Sequence, residues 1–148
     1  MNKDHYEYTT NSNLWVFEFD SVGPKGAIRK TIRYSLIANE DYMFVNLGFG
    51  DINYQTGEIN DLIVSNNNDR DKILATIAAT VIEFTDYFPN AFIYAKGSTP
   101  ARTRLYQMAI AANLAEISAV LDIFGFINDN WYDFKLYVNY EAFSVLRK

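Results

Sequence analysis

The stretch Ala91-Phe92-Ile93-Tyr94-Ala95-Lys96-Gly97-Ser98-Thr99-Pro100-Ala101-Arg102-Thr103-Arg104-Leu105-Tyr106 decides the local architecture of this chain. It begins with a compact apolar run that contains two aromatic residues, as a short buried strand does. Gly97 then favours a turn, because glycine tolerates positive φ and close backbone approach. Thr99 before Pro100 is typical of a helix N-cap followed by the first helical position, where the missing proline N–H costs nothing. The stretch predicts a strand, a tight turn and a helix that begins at Pro100.

The start of this predicted helix is positively charged. Lys96, Arg102 and Arg104 lie in or beside its first turn, and no Asp or Glu occurs between Asp86 and Glu116. A helix N-terminus carries a partial positive charge, so cations there are mildly unfavourable. Free N–H groups at a helix end and guanidinium groups both bind phosphate or carboxylate. We therefore predict a site for a small anionic ligand. Its candidate residues are Lys96, Gly97, Ser98, Thr99, Arg102, Arg104 and Tyr106.

The two arginines also have a structural interpretation. Each would pair with carboxylates from elsewhere in the fold, or Arg102 would lie over Tyr106 one turn later as a cation–π contact. Residues two apart on a helix are separated by about 200°, so Arg102 and Arg104 do not share a face. Both interpretations stay open at this point. The densest acidic group upstream of the first helix consists of Asp51, Glu58 and Asp61.

Length and composition indicate a single globular domain over residues 1–148, with 49% hydrophobic and 21% charged residues. The chain has no cysteine, which excludes disulfides and thiolate zinc sites. His5 is the one histidine, so mechanisms that need two histidines are excluded. Residues 51–58 superficially resemble a calcium loop but have glycine at the wrong position, so we interpret them as a turn. No cofactor and no metal site are predicted.

Charge and hydropathy limit the partners and the compartment. The net charge of -5 and the pI near 4.8 argue against nonspecific nucleic-acid binding, which needs a surplus of Lys and Arg. The N-terminal residues have no apolar core of the kind a signal peptide needs. No apolar run approaches the roughly 20 residues of a membrane span. We expect a cytoplasmic protein that binds neither nucleic acid nor membrane.

The first half of the chain alternates between apolar and polar residues, as strands do. Residues 14–20 and 27–37 should form a hairpin, with Glu18 and Asp20 near Arg29 or Arg33. In the second strand we expect one inward and one outward face. The inward residues are Ile28, Ile32, Tyr34 and Leu36; the outward ones are Arg29, Thr31, Arg33 and Ser35. A third strand covers 42–49, where Gly48 and Gly50 suggest a bulge or a close backbone approach, and a fourth covers 59–64.

The second half alternates helices and strands. A helix capped by Asn68 or Asp69 should run to Phe88, and a second one from Pro100 to about Leu121, followed by strands over 123–127 and 140–146. The apolar end of the second helix suggests a homodimer. The predicted order β-β-β-β-α-β-α-β-β requires a parallel pairing in mid-sheet. We expect one α/β domain with a mixed, largely antiparallel sheet and two main helices.

Two resemblances arise from these residues. The segment from Gly97 to Tyr106, together with Tyr140-Glu141-Ala142-Phe143, resembles a family of small uncharacterised bacterial proteins, which implies no activity. The segment from Ala101 to Tyr106 followed by Phe124-Gly125-Phe126 is similar to the second half of acyl-CoA-dependent N-acetyltransferases. That similarity implies a partly acetyltransferase-like fold with Tyr106 as a general acid. Those enzymes hold the coenzyme pyrophosphate on a glycine-rich turn, where this chain has Ser65-Asn66-Asn67-Asn68-Asp69.

Three functions therefore follow from the sequence. The first is a binding module for a small phosphate- or carboxylate-bearing ligand at the 97–106 turn. The second is a non-catalytic domain that associates with itself or with another protein through exposed aromatic residues. The third is a divergent N-acetyltransferase-like enzyme. Because no Ser/His/Asp or Cys/His constellation is available, a non-enzymatic function is favoured.

Overall fold

The computed structural model describes residues 4–11, 13–53, 55–60 and 67–148. Within these residues the chain forms nine strands and three helices. Their bounds are β1 Thr9–Thr10, β2 Val16–Gly23, β3 Gly26–Asn39, β4 Met43–Ile52, β5 Ile59–Asn60, α1 Arg70–Tyr87, β6 Ala91–Ala95, α2 Pro100–Ala112, α3 Leu114–Val120, β7 Leu121–Ile127, β8 Asn130–Asp133 and β9 Ala142–Arg147.

The strands form one sheet in the order β1-β2-β3-β4-β6-β9-β7-β8, and β5 pairs with the end of β4. The pair β4·β6 is parallel and the other described pairs are antiparallel. A parallel pair needs a crossover, and α1 supplies it between β4 and β6. The predicted α/β fold with a mixed, largely antiparallel sheet is therefore confirmed. The last strand, β9, lies between β6 and β7.

The three helices cover one face of the sheet and form the core with it. Phe17, Phe49 and Ile93 from the strands meet Phe84 of α1 and Ile110 of α2 in one buried cluster. Each fully buried side chain of this size stabilises the fold by about 1.5–3 kcal/mol. No helix in the described part of the chain covers the opposite face. The fold thus has two layers, and one side of its sheet stays open.

The predicted β2·β3 hairpin is confirmed, and its charge pairs are those expected. Arg29 contacts Glu18 at 3.3 Å and Asp20 at 3.2 Å. The faces of β3 depart from the prediction at two positions. Leu36, predicted to face inward, is 53% exposed. Thr31, predicted to face outward, is fully buried, and its hydroxyl donates to Phe17 O at 3.2 Å.

The bulge predicted at the glycines of β4 is wrong. Gly48 and Gly50 pair in unbroken register with Arg33 and Thr31. The irregularity lies instead near the end of β3, where the strand leaves the core. Asn53 and residues 55–58 agree with the predicted turn, since the side-chain oxygen of Asn53 accepts the N–H of Gln55 at 2.9 Å. Of the strand predicted over 59–64, Ile59–Asn60 is observed and the remainder lies outside the described residues.

The second predicted helix is in fact two helices. The helix is interrupted at Asn113, whose φ and ψ of -118° and 20° lie outside the helical region. The shorter helix α3 turns its apolar side to the molecule itself, since Ile117 is 4% exposed and the following Leu121 is 1% exposed. The apolar stretch that suggested a homodimer is therefore largely covered by this chain. No described helix is long and apolar enough to span a membrane.

Asp69 anchors the N-terminal segment to the start of α1. It is the N-cap residue, as predicted, but its carboxylate makes no cap hydrogen bond. The carboxylate instead accepts the hydroxyl groups of Tyr6 and Ser21, each at 2.5 Å. Buried Asn67 adds a bond to Gly26 O at 2.9 Å. These hydrogen bonds connect the N-terminal segment, the β2·β3 hairpin and the start of α1, in addition to their packing in the core.

Tyr8 and Tyr34 predict a loss of stability at high pH. Burial and the nearby Glu83 raise the pKa of Tyr8 to about 12. Burial also raises the pKa of Tyr34, whose hydroxyl lies 3.0 Å from Thr80 Oγ1. The folded state therefore keeps protons that the unfolded chain releases above about pH 10. The stabilisation is complete below that pH and is lost as the pH rises towards 12.

Urea unfolding at pH 8, 9, 10 and 11 measures this effect. The midpoint should stay level and then fall above pH 10, and Tyr8→Phe should flatten the fall because it removes one of the ionising groups. A midpoint that rises between pH 9 and 11 would contradict the assignment.

Candidate functional site

The open face of the sheet is aromatic rather than polar. Strand register aligns Phe44 of β4 with Phe92 of β6, and it aligns Tyr94 of β6 with Ser144 of β9. Ser144 is in turn opposite Phe124 of β7. Because side chains alternate along a strand and Ile93, Ile123 and Val145 belong to the core, these neighbours point away from the helices.

A groove follows from this pattern of large and small residues. Ser144 has a short side chain and lies between Tyr94 and Phe124 on neighbouring strands. The surface of the sheet is therefore recessed at Ser144. The short strand β8 carries Trp131 and Tyr132 along one side, and Ile37 lies at the other. The groove is open to solvent and has a volume of about 820 Å³.

The rings around the groove form two connected groups. Phe92 lies 5.9 Å from Phe44 and 6.0 Å from Phe124 between ring centroids. Tyr94 and Trp131 meet at 6.1 Å with an angle of 73° between their planes. Near-perpendicular rings form adjacent walls, whereas stacked rings would cover each other's faces. Trp131 and Tyr132 are still 45% and 48% exposed.

Few polar groups line the groove, and they are not used by the fold. The carboxylate of Asp133 and the hydroxyl of Tyr94 make no hydrogen bond or ion pair within the described part of the chain. Asp133 is opposite Phe124 in the β7·β8 register, on the same strand face as Trp131. Asp133 is also the one charged residue of the groove lining among the described residues.

The turn that the sequence singled out has the predicted strand, N-cap and helix. Thr99 Oγ1 accepts the N–H of Arg102 at 3.1 Å, and α2 begins at Pro100. The N–H of Gly97 donates to Thr103 Oγ1 at 3.0 Å. A Cβ on Gly97 would lie 2.3 Å from the backbone nitrogen of Thr103, so only glycine permits this approach. The N–H of Gly97, one of the groups predicted to bind an anion, is thus engaged within the turn itself.

The charged residues of that turn separate into two sets. Lys96, Ser98 and Arg104 are exposed, and neither cation forms an ion pair in the described residues. Arg102 is 6% exposed and its guanidinium carbon lies 5.0 Å from the centroid of the Phe49 ring. Tyr106, which the sequence suggested as the ring beneath Arg102, is 4% exposed in the core.

A buried ion pair lies beside Arg102 and was missed by the sequence analysis. Lys30 Nζ contacts Asp51 Oδ1 at 2.5 Å, and the two side chains are 4% and 15% exposed. Lys30 Nζ also lies 5.9 Å from the centroid of the Phe49 ring. The alternation of β3 contains the signal for this site, because residue 30 has the same parity as inward-facing Ile32 and Tyr34. In the described residues no group of three His, Cys, Asp or Glu side chains is placed to hold a metal ion.

Comparison with known proteins gives one positive result. A family model matches residues 2–148. The chain belongs to the family of unknown function DUF6934. No curated protein and no solved structure gives a significant match.

Membership in DUF6934 agrees with the resemblance to an uncharacterised family. It assigns no activity to the 97–106 segment, to the groove or to the buried ion pair. The similarity to N-acetyltransferases stays a prediction from the sequence. The function of this DUF6934 member must therefore be argued from the chemistry of its surfaces.

Proposed function

We propose that this protein is a non-catalytic binding protein that holds a small organic molecule in the groove of its open sheet face. The observation that carries the proposal is the short side chain of Ser144 between Tyr94 and Phe124, which makes the aromatic face concave. Small-molecule sites are concave, mainly apolar and supplied with a few polar groups, and they measure roughly 300–1,000 Å³. The groove, at about 820 Å³, is within that range.

The uncommitted polar groups support the same function. A folded protein normally pairs its polar side chains or leaves them fully in water. Here the half-buried Tyr94 hydroxyl and the exposed Asp133 carboxylate lie beside apolar rings and have no partner in the described chain. Such groups give a bound molecule its orientation, while the rings supply most of the buried area.

Self-association through the same face is less well supported by its shape. A twofold interface brings one patch against an identical patch, so the surface must complement itself. Two concave faces would leave the space between them unfilled. The exposed Leu36 and Ile37 beside the groove keep a homodimer among the outcomes that the experiment below must distinguish.

Fluorescence of N-phenyl-1-naphthylamine, which rises in apolar sites, tests the proposal. We expect saturable binding of one molecule per chain. Trp131→Ala should weaken binding at least tenfold, which is about 1.4 kcal/mol, because tryptophan side chains dominate the energetics of such contacts. Tyr137→Ala is the matched control, since Tyr137 is 99% exposed and lies outside the groove lining.

Two outcomes would contradict the proposal. One is equal probe binding by the native chain and by Trp131→Ala. The other is a dimer in light scattering that Trp131→Ala converts to a monomer, because the open face would then be a subunit interface.

A second candidate, a small-anion site, is supported by Lys96 and Arg104. Both are exposed beside the N-terminus of α2, and the chain has no carboxylate between Asp86 and Glu116 to neutralise them. If this site operates, phosphate should raise the melting temperature, and Lys96→Gln with Arg104→Gln should abolish the rise. Lys25→Gln, an exposed lysine on the β2·β3 hairpin, is the control. An equal rise in both variants would refute the site.

The N-acetyltransferase interpretation is less favoured by the position of its proposed acid. Tyr106 is 4% exposed in the core between helix and sheet. A general acid must come within hydrogen-bond reach of the group that it protonates. Tyr106 is too enclosed for that role in this conformation.

A further inference from the structure

We propose that the molecule held in the groove is a small organic cation, a protonated or quaternary amine attached to an apolar body. This inference rests on the proposed function and adds the charge and chemical class of the ligand. Its basis is the combination of one carboxylate with aromatic walls in a groove that lacks any described cationic side chain.

The charge of the lining is the first argument. Asp133 contributes a carboxylate, and the other lining residues in the described chain are apolar, aromatic or hydroxyl-bearing. An anionic ligand would face this carboxylate at short range with no Lys or Arg to offset it. A cation would gain that interaction. Because Asp133 is exposed, water weakens the attraction, and the aromatic walls must contribute to binding as well.

The arrangement of the rings is the second argument. An aromatic ring attracts a cation to its face through its quadrupole, most strongly for tryptophan, when the cation lies within about 6 Å of the ring centroid. Trp131 meets Tyr94 at 73°, so the faces of these two groove-lining rings are turned in different directions. Walls of this kind surround the methyl groups of quaternary ammonium ligands.

The position of Asp133 joins the two arguments. Residues 131 and 133 share a strand face on β8, and their partners Phe126 and Phe124 share the adjoining face of β7. The carboxylate therefore lies next to the aromatic walls rather than at a distant rim. Because the Asp133 carboxylate has no described protein partner, a bound cation does not have to displace an existing ion pair.

Calorimetric titration with three matched probes tests the inference on the full-length chain. The probes are benzyltrimethylammonium, its uncharged carbon analogue 2,2-dimethylpropylbenzene, and the anion benzylsulfonate. We expect the cation to bind at least tenfold more tightly than the uncharged analogue, and the anion to bind more weakly than both. Since cation and analogue have nearly the same shape, the difference measures the effect of charge.

Two variants locate that effect. Asp133→Asn should remove most of the preference for the cation, so that the cation and the uncharged analogue bind about equally. Asp129→Asn is the matched control, because Asp129 is exposed in the β7–β8 turn and its positive φ of 61° is one that asparagine tolerates. Asp129→Asn should keep the full preference.

The outcomes separate this inference from the function on which it rests. Equal binding of cation and uncharged analogue, or tighter binding of the anion, overturns the cation assignment and leaves the groove as a binding site. A cation preference that survives Asp133→Asn also overturns it. Binding of none of the three probes, together with no binding of N-phenyl-1-naphthylamine, overturns both proposals.

Discussion

Lys30→Met is expected to lower the free energy of unfolding by about 3–5 kcal/mol, the range for removal of one member of a buried ion pair. Lys30 and Asp51 are 4% and 15% exposed, and their charged atoms are 2.5 Å apart. Methionine fits the space of the lysine stem but leaves the Asp51 carboxylate without this partner in a poorly solvated position. The cost arises mainly from that charge, because an ion deprived of water and of its counterion loses most of its solvation.

Arg29→Met is the matched control for this experiment. Arg29 is the preceding residue on β3 but is on the opposite face, where its side chain is 26% exposed beside Glu18 and Asp20. Exposed pairs contribute about 0–1 kcal/mol, so this variant should be nearly neutral. The double variant Lys30→Met with Asp51→Leu should regain part of the lost stability, since neither member of the pair is then left buried without the other. Equal losses for Lys30→Met and Arg29→Met in urea unfolding would contradict this account.

Gly125→Ala is expected to have the second large effect, a loss of about 3 kcal/mol. A Cβ at Gly125 would lie 2.3 Å from Cδ1 and 2.4 Å from Cγ of the Tyr140 ring. That ring cannot move away freely, because Tyr140 is held at both ends. Its hydroxyl accepts the N–H of Lys135 at 2.9 Å, and its backbone N–H donates to Gln107 Oε1 at 3.0 Å. Overpacking of a fixed site typically costs about 1–3 kcal/mol, and the loss of either bond adds to it.

The same substitution at Gly48 provides the comparison. A Cβ there would meet nothing closer than Arg33 O at 3.8 Å, which is ordinary contact. Gly48→Ala should be neutral or slightly stabilising, because alanine restricts the unfolded chain more than glycine does. Calorimetric melting of both variants decides the matter, and a Gly125→Ala protein as stable as Gly48→Ala would show that Tyr140 is free to move.

Local features of the fold follow from the sequence. The Thr99-Pro100 pair predicts the start of α2, and alternation in the first hairpin predicts the pairing of Arg29 with Glu18 and Asp20. These features depend on residues that are close along the chain. Their hydrogen bonds and faces are therefore readable from spacing alone.

Features set by distant neighbours do not follow in the same way. Ser144 is between Tyr94 and Phe124 only because β9 enters the sheet between β6 and β7. No local pattern encodes that insertion, so the groove was not foreseen. The ring beneath Arg102 is likewise Phe49, from a strand distant in sequence. Strand parity places Lys30 on the inward face. A lysine on an apolar face is rare, however, and the buried ion pair was not predicted.

The most direct test of the central claim is a nuclear magnetic resonance titration of the isotope-labelled chain with benzyltrimethylammonium. The open-face groove predicts that the indole N–H of Trp131 and backbone amides of β6, β7, β8 and β9 shift together and saturate along one binding curve. Shifts confined to the 96–104 turn, or none at millimolar probe in a folded sample, would contradict it.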